Sequence, residues 1–154
     1  MGLKQIQKGI LSMDGLPFDT GESPVVVVHP FYELYKDIGY PVRYLKNMDE
    51  FLSSRKGPIV TLEEDEYLTR TSVHYRFLGR NSNTLFIKTK LASPDPKDVT
   101  WDELASFIDS LRHGRKVSLV GGYLNGTIFG CLGVTDRKLW ERRIPTQVLE
   151  GLTF

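Results

Sequence analysis

The chain has 154 residues, of which 40% are hydrophobic and 25% are charged, and these values are typical of one soluble globular domain. Twenty basic residues stand against nineteen acidic ones, and the resulting charge of +1 argues against a nucleic-acid-binding protein. The longest uninterrupted apolar run, Val25 to Val28, is too short to cross a bilayer, so no membrane association is expected. A single cysteine, Cys131, excludes an internal disulfide and favours a reducing, cytoplasmic compartment.

The N-terminal part of the chain predicts little regular structure before the first strand. Residues 1–23 have weak periodicity and several glycines and prolines, so we expect an irregular arm with one short strand near residues 9–13. The four valines at 25–28 are β-branched on both faces and predict a strand buried on both sides in a parallel sheet. A helix is expected over residues 30–38, with proline at its first turn.

The middle of the chain continues the alternation of helices and strands. Asn47 and Glu50 have the spacing of a capping box and predict a helix that ends near residue 57. A strand is expected at 58–62, then a helix over 63–78 whose first turn is acidic, and then a strand at Thr84–Lys88.

The C-terminal third contains the clearest helix signal. Thr100 and Glu103 form the best capping box in the chain and predict a helix over 100–113. A strand at Val117–Val120 follows, then a helix from about residue 127 to 143, and finally a strand over 147–154.

This alternation predicts the fold class. We expect a single α/β domain over residues 1–154, with a mostly parallel five-stranded sheet and helices on both faces in three layers. Strands 25–28 and 117–120 should be central parallel neighbours, because both are apolar on both faces. A flavodoxin-like and a Rossmann-like strand order both fit the sequence.

The turn after the fourth parallel strand localises a site better than any other segment. Parallel sheets place ligands at the carboxyl ends of their strands, and glycines there let backbone amides approach an anion. The turn is neither a Walker loop nor a Gly-x-Gly-x-x-Gly fingerprint, and the needs of turn geometry and helix packing are the alternative explanation. The candidate ligand-binding residues are Gly121, Gly122, Asn125, Gly126 and Thr127.

Two further residues follow strands on the same expected edge and are the candidate catalytic groups. His29 follows the first parallel strand and could act as a general base, since an imidazole changes charge near neutral pH. The alternative is a structural histidine that is hydrogen-bonded to a loop carbonyl. Lys88 ends the third strand and could contact an anion. Cys131 has apolar neighbours and is expected to be buried and unreactive.

A basic cluster lies late in the last predicted helix. Its members are Arg137, Lys138, Arg142 and Arg143, with Trp140 among them. These cations could bind an acidic ligand, or they could simply complement the negative end of the helix dipole.

The function predicted from these features is the binding of a small anionic ligand at the carboxyl edge of the sheet, with hydrolysis or group transfer as the favoured chemistry. The alternative is a non-catalytic subunit or interaction module that acts as a homo-oligomer, for which the C-terminal strand could offer an unpaired sheet edge. No motif identifies a cofactor, and three separated histidines give no metal-ligand spacing.

Overall fold

The computed structural model describes residues 4–7, 10–12, 21–28, 43–63, 84–88, 99–122 and 131–153. The strands in these ranges are β1 (Lys4–Gln7), β2 (Ile10–Ser12), β3 (Val25–Val28), β4 (Ile59–Glu63), β5 (Thr84–Lys88), β6 (Val117–Gly121) and β7 (Thr146–Thr153). The helices are α1 (Tyr44–Ser54), α2 (Trp101–Arg112) and α3 (Cys131–Glu141). Of these described helices, none has the length and apolar character needed to span a membrane.

The strands form one sheet in the order β1-β2-β5-β4-β3-β6-β7. The five strands from β5 to β7 in this order are parallel to one another, which confirms the predicted parallel sheet. If the five parallel strands are numbered 1 to 5 in chain order, their order across the sheet is 3-2-1-4-5, as in the first five strands of the Rossmann sheet. This order excludes the flavodoxin-like arrangement. β3 and β6 are central neighbours, as their double-sided apolar character predicts.

The N-terminal segment differs from the predicted irregular arm. β2 corresponds to the short strand expected near residues 9–13, but β1 precedes it and pairs with it as an antiparallel hairpin. β2 also pairs antiparallel with β5, so the hairpin extends the sheet at that edge to seven strands. Ile10 of β2 is buried in the core, which explains how so short a strand is held in place.

Both faces of the central strands are covered. Val26 and Val28 belong to a buried cluster that includes the inner faces of α2 and α3. Val25 and Val27 point the other way, into a cluster that includes the inner face of α1. Successive side chains of a strand alternate between faces, so a run of four valines fills two cores at once. The predicted three-layer α/β arrangement is therefore confirmed.

The predicted cap of α2 is confirmed in full. The Thr100 hydroxyl accepts a hydrogen bond from the Glu103 amide at 3.2 Å, and the Glu103 carboxylate accepts one from the Thr100 amide at 3.0 Å. The predicted bounds of the strands β4 to β7 agree with the structure to within one residue at each end.

The predicted cap of α1 is wrong. The helix begins at Tyr44, one turn earlier than expected, and Arg43 precedes it with a left-handed backbone and no side-chain cap. Asn47 lies inside the helix, where its side-chain amide donates to the Gly151 carbonyl at 3.3 Å. Burial of Tyr44 and Met48 on one face outweighs the local capping signal. The helices predicted at 30–38 and 63–78 lie outside the described residues.

Candidate functional site

The carboxyl ends of β3 and β6 are the place where this topology favours a ligand. The chain proceeds from β3 toward β4 and β5 on one side, and β6 and β7 lie on the other, so the strand order reverses between β3 and β6. Ligands of open α/β sheets bind in the crevice at such a reversal. Val28 of β3 is the register partner of Gly121 of β6, so both strands end at the same level.

Gly121 allows the two strands to approach closely at this end. Its φ of +104° is a conformation that side chains disfavour, and a Cβ atom on this residue would lie 2.1 Å from the Val28 carbonyl oxygen. No real Cβ atom tolerates that distance. The need for glycine at Gly121 is therefore explained by the backbone of β3 alone.

The backbone amide of Gly122 already has a hydrogen-bond partner. It donates a hydrogen bond of 2.8 Å to the Val28 carbonyl oxygen, which extends the β3–β6 ladder by one more bond. The expectation that the Gly122 amide would be free to face an anion is therefore wrong. Any anion-binding amides of this turn have to come from residues beyond it.

Four of the candidate site residues lie outside the described residues: His29, Asn125, Gly126 and Thr127. Their chain neighbours are nonetheless informative. His29 follows Val28 directly, and Val28 lies beside Gly121, so the chain enters the 29–42 segment and the 123–130 segment from adjacent points. The condition for a shared site, that these two strands end at the same edge, is met.

Lys88 ends β5 at the same edge of the sheet, but β5 is not a neighbour of β6. It is the register partner of Glu63, and β4 and β3 both lie between β5 and β6. Three strand spacings separate the backbones of Lys88 and Gly121, which is about 14 Å. A small ligand at the β3–β6 crevice would therefore not touch the backbone of β5.

The opposite, amino-terminal edge of the sheet carries an ionic cluster that sequence reasoning missed. The Glu22 carboxylate accepts from the Gly57 amide at 3.2 Å and lies 3.7 Å from Nε of Arg55. Arg115 Nη1 donates to the Glu22 carbonyl at 3.0 Å, and Arg55 Nη2 donates to the Ser23 carbonyl. Burial lowers the pKa of the Arg55 guanidinium, and the nearby Glu22 carboxylate opposes that shift.

This cluster joins segments that are far apart in sequence, namely the residues before β3, the turn before β4 and the turn before β6. Because Glu22 and Arg55 come from different segments, their pairing leaves no local pattern in the sequence that could have indicated it. The Glu22 carboxylate faces the Arg55 guanidinium, and Arg115 bonds the Glu22 carbonyl, so the cluster has the character of a structural cross-link.

Three of the four cations in the basic cluster at the end of α3 lie within ion-pair distance of a carboxylate of the same chain. Arg137 and Lys138 lie 3.8 and 3.7 Å from the Glu141 carboxylate. Arg142 Nε donates to the Asp102 carboxylate of α2 at 2.7 Å. These pairs support the structural interpretation of the cluster over an anion site.

Cys131 is only half-buried, although it was expected to be buried, and it packs against the core cluster beneath α2 and α3. Its carbonyl accepts a hydrogen bond of 2.7 Å from the buried Thr135 hydroxyl. These contacts fit the structural role that its apolar neighbours predict.

Comparison with known proteins yields one partial likeness. No protein-family model matches the chain, and no solved structure matches it. The chain is 25% identical over 123 residues to a subunit of the Na(+)-translocating NADH-quinone reductase of Histophilus somni (strain 129Pt). That match covers 79% of this chain and 29% of the reductase subunit, so the chain spans less than a third of the relative's length.

Proposed function

We propose that this protein binds a small anionic ligand in the crevice between the carboxyl ends of β3 and β6. The observation that carries the proposal is the strand order 3-2-1-4-5, whose reversal falls between these two strands. The chain leaves β3 and β6 at this edge and continues into the segments that contain His29 and residues 125–127.

The chemistry of the loops favours a ligand with a phosphate or carboxylate group. Asn125, Gly126 and Thr127 lie before α3 in the chain, and amides ahead of a helix are suited to an anion. His29 follows β3 directly in the chain and is the proposed general base for hydrolysis or group transfer.

The name of the reductase relative adds NADH as a specific candidate ligand. One feature argues against the usual mode of dinucleotide binding. The residues after β3, His29-Pro30-Phe31, include no glycine, whereas the dinucleotide fingerprint places its glycines after the first strand. NADH therefore belongs in the ligand panel beside simpler phosphates.

A second candidate function is that of a non-catalytic subunit. It is favoured by the glycine turn itself, because the backbone of β3 fully accounts for Gly121 and uses the amide of Gly122. In that case the turn serves the fold, and the carboxyl edge has no ligand of its own.

The two functions separate in a titration of the purified protein with inorganic phosphate, AMP and NADH, followed by calorimetry and by thermal unfolding. A ligand at 100 times its dissociation constant should stabilise the protein by about 2.7 kcal/mol. We expect at least one of the three to do so, and we expect His29→Ala to change the pH dependence of its binding between about pH 5 and 8.

Gly122→Val is the variant that crowds the crevice, and Gly133→Val in α3 is its control. No atom lies within 4 Å of a Cβ added at Gly133, so the control places the same residue type where its Cβ meets open space. The proposal predicts weaker binding in Gly122→Val and unchanged binding in Gly133→Val. Failure of all three ligands to bind would favour the non-catalytic subunit.

A further inference from the structure

The turns at the amino-terminal edge of the sheet contain a repeated pattern of charge. The turns before β4, β6 and β7 each contain two consecutive cations, namely Arg55-Lys56, Arg115-Lys116 and Arg142-Arg143. Together with the turn before β3, which contains Glu22, these sixteen residues (21–24, 55–58, 113–116 and 142–145) carry six cations and one carboxylate, a net charge of +5. The whole chain has a charge of +1, so the remaining 138 residues have a charge of −4. The near-neutral total, on which the expectation of no nucleic-acid partner depends, therefore conceals a strongly basic edge.

The two members of each pair have different surroundings. The first member is a half-buried arginine that donates a hydrogen bond to an acceptor of another segment: Arg55 to Ser23, Arg115 to Glu22 and Arg142 to Asp102. The second member is exposed to solvent: Lys56, Lys116 and Arg143. The first members thus hold the edge together, whereas the second members present their charges outward.

The side chains of Lys116 and Arg143 have no carboxylate partner in the part of the chain that the structure describes. Arg143 is the one cation of the basic cluster of α3 that is left out of its ion pairs. The two cations come from adjoining turns, since the Val117 amide donates to the Pro145 carbonyl at 2.9 Å. A helix dipole favours cations within the last turn of the helix. That reason explains Arg112, which is in the last turn of α2, and not Lys116, which is four residues beyond it.

The exposed cations form a row in the plane of the sheet. They precede β4, β6 and β7, and β3 lies between β4 and β6, so their backbones extend over three strand spacings, about 14 Å. Asp109 and Glu141 belong to the last turns of α2 and α3 on one face of the sheet, and their side chains are 57% and 49% exposed. A flat anionic membrane against this edge would also meet these carboxylates. A narrow, strand-shaped polyanion can follow the row without meeting them.

An exposed aromatic residue adjoins the row at β7. Of the residues whose burial the structure describes, Trp140 is the exposed large hydrophobic side chain, at 53%. It lies on the β7 side of α3, because Asp136, one helical turn earlier, bonds to Thr146 of β7. The Arg143 amide donates to the Trp140 carbonyl at 2.9 Å, so the indole and the last cation of the row belong to one turn. Cations that follow the phosphates and an aromatic ring that stacks on a base are the means by which proteins bind single-stranded nucleic acid.

We infer that the amino-terminal edge binds single-stranded nucleic acid without sequence preference. Successive phosphates contact Lys56, Lys116 and Arg143, and a base stacks on the indole of Trp140. A row of about 14 Å accommodates a few nucleotides, at the lower end of the site sizes of about 4–16 nucleotides that single-strand-binding domains use. This site lies at the opposite end of the strands from the β3–β6 crevice, so it does not depend on the proposed function.

Fluorescence anisotropy with a labelled oligouridine of about twelve nucleotides tests the inference. We expect binding at low salt, and the logarithm of the association constant should fall against the logarithm of the salt concentration with a slope of about −2. The reason is that three phosphate contacts on a single strand each contribute about 0.7 to the slope through counterion release. Lys116→Gln and Arg143→Asn should each reduce the slope by about 0.7, and asparagine suits the left-handed backbone at residue 143.

Trp140→Ala separates the stacking contact from the ionic ones. It should weaken binding about tenfold at an unchanged slope, because stacking on an aromatic ring releases no counterion. Lys46→Gln is the matched control: Lys46 is also an exposed lysine, but it lies in the first turn of α1, away from the amino-terminal edge, and pairs with Glu50 at 3.9 Å. This control should leave the affinity and the slope unchanged, and thermal unfolding should be unchanged in all four variants.

Absence of binding to oligouridine at low salt would overturn the inference. Binding whose slope neither cation variant reduces would place the nucleic acid elsewhere and would overturn it equally. Polyglutamate of similar length and phosphatidylserine vesicles are the competing partners. If either binds as tightly as oligouridine, with the same dependence on Lys116 and Arg143, the row attracts any anion and nucleic acid is not its specific partner.

Discussion

The two edges of the parallel sheet are held together in different ways. At the amino-terminal edge, the Glu22 side chain contacts Gly57 and Arg55 in the turn before β4. The Glu22 carbonyl accepts a hydrogen bond from Arg115 in the turn before β6. At the carboxyl edge, the described contacts between β3 and β6 are backbone contacts: the Gly122 amide on the Val28 carbonyl, and the close approach of Gly121.

The two edges therefore differ in how strictly they restrict the residue types that can occupy them. Side-chain cross-links join distant segments without fixing backbone conformation, so their loss costs a limited amount of stability. A backbone contact with no room for a Cβ atom permits one residue type only. The edge that the topology makes suitable for a ligand is thus also the edge with the strictest backbone requirement.

The largest expected effect is at the carboxyl edge. Gly121→Ala places a Cβ atom 2.1 Å from the Val28 carbonyl oxygen in a backbone conformation of positive φ. We expect a loss of about 3 kcal/mol or more in the free energy of unfolding, measured by denaturant titration. Gly133→Ala, which meets no atom within 4 Å, is the control and should be neutral or stabilising. Equal stability of the two variants would show that the strands can separate at this end.

An intermediate effect is expected at the amino-terminal edge. Glu22→Gln removes the charge that faces the Arg55 guanidinium, whose side chain is 18% exposed. Because the Glu22 side chain is 42% exposed, solvent screens part of this effect, and we expect a loss of about 1.5 kcal/mol. Glu50→Gln is the control, since its pair with Lys46 is fully on the surface. If both variants unfold at the same denaturant concentration, the cluster contributes no cross-link.

The smallest effect is expected for a contact that is local in sequence. Thr100→Ala removes the acceptor of the Glu103 amide at the start of α2 and should cost about 1 kcal/mol, as judged by the denaturation midpoint. Ser106→Ala, at an exposed position inside the same helix, should cost nothing. A wild-type midpoint for Thr100→Ala would mean that water replaces the hydroxyl at no cost.

Much of the fold was predictable because its signals are local. β3 and β6 are apolar on both faces, and this alone indicated central strands with helices on either side. The Thr100–Glu103 spacing located the start of α2. The start of α1 was missed because burial of Tyr44 and Met48 decides it, and burial is not a property of the capping residues.

The edge at which β3 and β6 end together was predictable, but the contacts at that edge were not. The sequence indicated that β3 and β6 end side by side, which placed the segments after Val28 and Gly121 at a common edge. The sequence could not show that the Gly122 amide donates to the Val28 carbonyl, because that bond depends on how far the pairing of β3 with β6 extends. Because the strand order was open, the sequence also could not show that two strands separate the strand of Lys88 from β6.

The sequence by itself determined the alternation of strands and helices, the double-sided burial of the valine strands and the cap of α2. Each of these depends on residues within about one or two turns or strand lengths of one another. Only the tertiary structure decided the strand order, the addition of the β1–β2 hairpin to β5 and the cluster around Glu22. These features depend on which distant segments pack against one another. Alternative pairings of segments compete across the whole chain, so no local pattern decides among them.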